Sequence, residues 1–145
     1  MAALYRGHMH IVAALIDLGA PLDVFAAAAT GNVGELKHAL TQPEAVNAYA
    51  YDGWTPLHLA AFFGHVEAAT ILIEAGAGID AISRNSLKNT PLHAAAAGKH
   101  ESVAILLFER GADPERLDVG GYSARRIAEE NGLSAFLDAA RRPRT

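Results

Sequence analysis

A chain of 145 residues is long enough for one domain with its own core, and with no cysteine it can hold neither a disulfide framework nor a thiolate zinc site, which points to a reducing compartment. Sixteen acidic against twelve basic residues leave a net charge of −4, the wrong sign for a nucleic-acid footprint. The apolar runs are broken by Gly and Pro and fall short of the roughly 20 residues that span a bilayer, and the first residues carry no signal-peptide pattern, so a cytoplasmic location with no membrane contact is expected.

The chain is periodic. Thr55-Pro56-Leu57-His58 returns as Thr90-Pro91-Leu92-His93, and Gly76-Ala77 as Gly111-Ala112, both after 35 residues. Gly121-Tyr122-Ser123-Ala124 echoes Gly53-Trp54-Thr55-Pro56, and Ala27-Ala28-Ala29-Thr30-Gly31 echoes Ala60-Ala61-Phe62-Phe63-Gly64, which sets a unit of about 33 residues. Taken in order, residues 1–22 hold a partial unit: Tyr5-Arg6-Gly7-His8, the apolar run Ile11 to Leu18, and Gly19-Ala20 begin in the middle of a first helix. Gly7 to Gly31 is 24 residues rather than 33, so the first two units are expected to join without a protruding turn. A missing N-terminal cap would expose Ile11, Val12, Leu15 or Ile16 unless something covers them, and natural truncation, a misplaced start and a homo-oligomer contact all fit.

Residues 23–54 form a degenerate unit that keeps the Ala-Ala-x-x-Gly core, with Asp23 as helix cap. Residues 55–89 are the clearest unit. Thr55 is a good N-cap and Pro56 suits the first helical position, where its missing N–H costs nothing. Ala60 and Ala61 permit close helix approach, and Gly64 breaks the helix at a tight turn. In the helix that follows, Ala68, Ala69, Ile71, Leu72 and Ala75 recur at three- and four-residue spacing, the pattern of a buried stripe, before Gly76 ends it. Residues 90–122 repeat the plan with Lys99 in place of the turn glycine, and the loop that precedes them, Ser83 to Asn89, is two residues longer than its counterpart. Residues 123–145 carry Arg125 and Arg126 where Leu and His stand earlier, as a solvent-facing terminal unit would, and end in a basic tail read as a solvated terminus.

The motif Gly53-x-Thr55-Pro56-Leu57-His58-Leu59-Ala60-Ala61-x-x-Gly64-His65, followed by an apolar helix and Gly76-Ala77, closely resembles the ankyrin-repeat family. The resemblance implies an all-α repeat fold over residues 1–145, an ankyrin-repeat solenoid of stacked antiparallel helix pairs with protruding hairpin-like turns. It also implies a non-catalytic module that binds a protein or peptide on its concave face, through the turn tips and the residues after Ala-Ala in each first helix. Carried onto this chain, those positions are Tyr49, Tyr51, Asp52, Trp54, Phe62 and Phe63, then Arg84, Asn85, Leu87, Asn89, Ala97 and Gly98, and Leu117, Val119, Tyr122, Glu130 and Asn131. Ala29, Thr30, Tyr5 and Arg6 complete the set.

Catalytic or metal-binding patterns are not found. Of the seven histidines, His58 and His93 read as groups that tie a turn to a helix start, and His8, His65 and His100 follow inter-helix turns. His8 and His10, two apart, do not share a helix face as zinc ligands would. No nucleophile elbow or phosphate-cradling glycine loop is present, and Glu67, Glu74, Glu101 and Glu109 read as solvated helix faces, so no cofactor and no enzyme activity are expected. The five aromatic residues of 49–63, even half exposed, would form a patch of roughly 400–600 Å², with Trp54, Tyr51 and Phe63 as anchors, unless they pack on one another.

Overall fold

The computed structural model describes residues 23–141. The partial first unit, with Tyr5, Arg6 and the apolar residues Ile11, Val12, Leu15 and Ile16 that a missing cap would expose, lies outside the described residues, as does most of the basic tail. Among the described residues eight short helices run α1 (Val24–Thr30), α2 (Val33–Ala39), α3 (Pro56–Phe63), α4 (Val66–Glu74), α5 (Pro91–Ala97), α6 (Glu101–Glu109), α7 (Ala124–Glu130) and α8 (Ser134–Ala140), with a 3₁₀ turn at Pro43–Asn47. They form an ankyrin solenoid of helix pairs, in which each first helix packs on the first helix of the next repeat and each second helix on the next second helix.

Each first helix begins where the sequence offers a cap. The side chains of Asp23, Thr55, Thr90 and Ser123 accept the backbone N–H groups of Ala26, His58, His93 and Arg126. The interior of these helices is alanine: Ala27 to Ala29, Ala60, Ala61 and Ala94 to Ala96 are fully buried, so neighbouring helices approach closely across small side chains. The second helices supply bulk, with Leu36, Leu72, Val103, Leu107 and Phe136 fully buried and Phe108 meeting Phe136 edge to face at 6.3 Å. Gly64 closes α3 in the left-handed region (φ 78°). Lys99 occupies the same position after α5 at φ 63°, so the lysine adopts the backbone conformation that glycine adopts more readily.

His58 shows how repeats are joined. Its Nε2 lies 2.9 Å from the carbonyl of Asn89, an acceptor only, so Nε2 carries the proton and Nδ1 is left to accept from the N–H of Thr55 at 3.3 Å. The ring therefore closes its own helix cap on one side and reaches the residue before the next cap on the other. His93 repeats the arrangement, with its Nε2 donating to the Tyr122 carbonyl at 2.9 Å. His65 does the corresponding work one level down, donating to the Ala29 carbonyl at 2.9 Å. Structural roles for these three histidines agree with the motif reading.

Glu101 departs from expectation. Rather than sitting on a solvated face, its Oε2 accepts the N–H groups of Ala135 (2.6 Å) and Phe136 (3.1 Å), capping α8 from the preceding repeat. Helix α8 has no side-chain cap of its own, and a carboxylate beside the positive end of its dipole supplies the missing acceptor.

Burial, the largest effect, lowers the pKa of His58 from the ordinary 6.5 to about 4, against the hydrogen bond to Asn89, which raises it. A histidine whose folded pKa lies below its unfolded value binds fewer protons folded than unfolded, so its stabilisation is complete above pH 6.5 and declines as pH falls towards 4. Between pH 7.5 and 5 this group alone should remove about 2 kcal/mol from the unfolding free energy, with a flatter dependence in the His58→Gln variant. Urea titrations at several pH values test this, and equal pH slopes in the two proteins would refute it.

Candidate partner-binding face

The loops between repeats are ordered by their own hydrogen bonds. At the first described hairpin, the Ala50 N–H donates to the Trp54 carbonyl (2.9 Å) and the Gly53 N–H to the Ala50 carbonyl (2.8 Å). Gly53, at φ 90°, carries no side chain where the backbone of Arg84 presses against it, and the Arg84 N–H donates to the Gly53 carbonyl at 2.7 Å. The next hairpin accommodates its two extra residues without loosening. The Asn85 side-chain oxygen accepts from Ser83 Oγ (2.8 Å) and the Leu87 N–H (3.0 Å), while its amide donates to the Asp52 carbonyl at 3.1 Å. The third hairpin pairs with it through the Val119 N–H and the Leu87 carbonyl (3.0 Å), and the Asp118 carboxylate accepts the N–H groups of Gly120 and Tyr122.

The aromatic residues of 49–63 divide into two groups on this scaffold. Trp54 is only 2% exposed, which corrects the expectation that it is a surface anchor. Its ring stacks on His58 at 5.6 Å and meets Phe62 edge to face at 5.4 Å, and Phe62 meets Phe63 at 5.1 Å. Trp54 is thus the buried root of a relay whose outer members, Phe62 and Phe63, are half-buried. The spacing already held the signal: Trp54, His58 and Phe62 are four residues apart, as members of one stripe would be.

The second group lies at the hairpin. Tyr49 is held in place, with its hydroxyl donating to the Ile82 carbonyl at 3.0 Å and Arg84 Cζ 3.9 Å from its ring centroid. Tyr51, beside it, is 86% exposed. Together with Phe25, Leu59, Ala50, Asp23 and Asp52 they line a pocket of about 240 Å³. At the 33-residue step Phe25 stands opposite His58, a position the motif gives to the helix cap, which is why the sequence does not announce it as a wall of this pocket.

The remaining expected contacts also separate by role. Asn89 is buried, and Asn85 spends its side chain on the loop, so both shape the face rather than meet solvent freely. Arg84 is exposed and Leu87 half-exposed. Tyr122 is exposed beneath Arg126, whose Cζ lies 4.4 Å from the ring centroid, with exposed Leu117 and Val119 on the same hairpin. Asn131, whose amide donates to the Ala96 carbonyl at 2.9 Å, links two repeats. Among the described residues no three His, Asp or Glu side chains gather as a metal would require, and no helix is long and apolar enough to cross a membrane.

Helix pairs of this size, hairpins joined edge to edge and histidines bridging one repeat to the next define an ankyrin stack. The family model "Ankyrin repeats (3 copies)" matches residues 1–118, and the chain belongs to this family of protein-interaction modules. Over 81 residues, 56% of the chain, it is 37% identical to protein phosphatase 1 regulatory subunit 12A of Mus musculus, and the Rattus norvegicus protein of the same name matches equally. Over 42 residues, 29% of the chain, it is 40% identical to ankyrin-3 of Rattus norvegicus. These matches span 8% of the length of the phosphatase subunits and 2% of ankyrin-3.

Removing the Trp54 ring should leave a cavity beneath the hairpin. The Trp54→Ala variant is expected to lose about 3–5 kcal/mol of stability, read as a lower denaturation midpoint. A midpoint unchanged from the parent would return Trp54 to the surface.

Proposed function

We propose that this chain is a non-catalytic interaction module that holds a protein or peptide partner on its concave face. Tyr51 and Phe63 make the principal contacts, Phe62 and Tyr49 support them, and Arg84, Leu87 and Tyr122 extend the face along the hairpins. The observation that carries this reading is Tyr51, 86% exposed on a hairpin whose backbone and neighbours are hydrogen-bonded in place. An exposed aromatic side chain on a rigid mount loses little conformational freedom on binding and contributes a large contact area. The regulatory subunits that the chain resembles support a binding rather than a catalytic role, and their small overlap leaves the partner to be found by experiment. A chain without cysteine suits a reducing compartment, and a cytoplasmic location is proposed with this reading.

Cross-linked capture from the cells that make the protein, compared between the parent and the Tyr51→Ala/Phe63→Ala variant, tests the proposal. Loss of the captured partners by roughly 30-fold or more is expected, the scale of a single strong hot spot, with the denaturation midpoint close to the parent's. Undiminished capture by a folded variant would overturn it.

A further inference from the structure

The pocket beneath Tyr51 has a composition suited to one kind of guest. Its volume of about 240 Å³ is below the roughly 300–1,000 Å³ of small-molecule sites, and fits a single side chain. Phe25 and Leu59 supply apolar wall, Tyr49 and Tyr51 supply aromatic rings, and the only charged residues in the lining are Asp23 and Asp52. Each carboxylate is held by one oxygen: Asp23 Oδ1 accepts from the Ala26 N–H (2.7 Å) and Asp52 Oδ1 from the Trp54 N–H (3.3 Å). The other oxygen of each makes no hydrogen bond among the described residues, and neither carboxylate has an ion-pair partner there.

We propose that this pocket receives the cationic side chain of a lysine or arginine from the partner's contact segment. The long aliphatic stem of such a residue lies along Phe25 and Leu59, below its charged head. Arg84, whose Cζ lies 3.9 Å from the Tyr49 ring centroid, is not part of the pocket lining, so the guest meets the two carboxylates and the Tyr51 ring. Two carboxylates, against no base in the lining, give complementarity to a positive guest and reject an acidic one. The net charge of −4 favours the approach of a basic segment at low ionic strength. This inference rests on the reading that a partner lies along the hairpins, and makes its contact segment basic.

The test uses the whole chain and needs no partner. Backbone amide NMR spectra are recorded during titration with N-acetyl-arginine amide, N-acetyl-lysine amide and the neutral, nearly isosteric N-acetyl-citrulline amide. The cationic probes should shift resonances of Phe25, Tyr49, Tyr51 and Asp52 with a dissociation constant on the order of 1 mM, weakening as salt is raised. Citrulline should bind at least about 10-fold more weakly. In the Asp23→Asn/Asp52→Asn variant, in which asparagine can still accept both backbone hydrogen bonds, the preference for the cation should disappear while the rest of the spectrum is kept. Equal shifts from citrulline, retention of the preference in that variant, or no shifts at these residues would each overturn the proposal. Because the probe reports on the pocket alone, its result is separate from the loss or retention of partner capture by the Tyr51 and Phe63 substitutions.

Discussion

The bond from a buried imidazole to the carbonyl just before the next helix cap is the constraint on which the stack depends. One ring satisfies groups in two repeats, and it can do so only as a neutral tautomer protonated on Nε2. Losing it would leave a buried carbonyl without its donor and a cap without its partner, both in the same place. The close approach of the alanine helices adds to that join, since Ala60, Ala61 and Ala94 to Ala96 put only small side chains between first helices. Stability is therefore carried as a series of links between nearest neighbours rather than by one central core.

Most of this fold was legible because its instructions are local. Thr55-Pro56 and Thr90-Pro91 announce helix starts, and Gly64 and Gly76 occupy positive-φ positions at or just beyond helix ends, so the unit can be read without knowing its neighbours. What was not legible depends on the repeat next door. Trp54 is the exception: it stands at a position the motif leaves variable, and its burial against His58 and Phe62 follows from a four-residue spacing within one stretch. Glu101 resembles any exposed first-turn carboxylate until α8 places two N–H groups beside it, 34 and 35 residues away. Phe25, likewise, became part of the pocket only when the following hairpin brought the tyrosines over it.

The face and the frame share side chains more than the sequence suggests. Asp52 gives its carbonyl to the next loop and one carboxylate oxygen to its own turn, yet keeps an oxygen at the pocket. Tyr49 is anchored through its hydroxyl and still offers ring surface. Such residues resist assignment to structure or to binding, since the hydrogen bonds that fix them are also what make them pre-organised contacts.

The lengthened hairpin at Ser83 to Asn89 shows how the face can diversify. Its extra residues close on themselves through Asn85 and Ser83, and the two ends of the loop still meet through the Ser83 N–H and the Asn89 carbonyl at 2.8 Å. Arg84, Asn85 and Leu87 still bond to the hairpins on either side, so the added length is taken up at the outer edge of the loop. Evolution, or an engineer, can therefore lengthen or rewrite the loop's outer edge to suit a new partner while the load-carrying part of the molecule stays as it is.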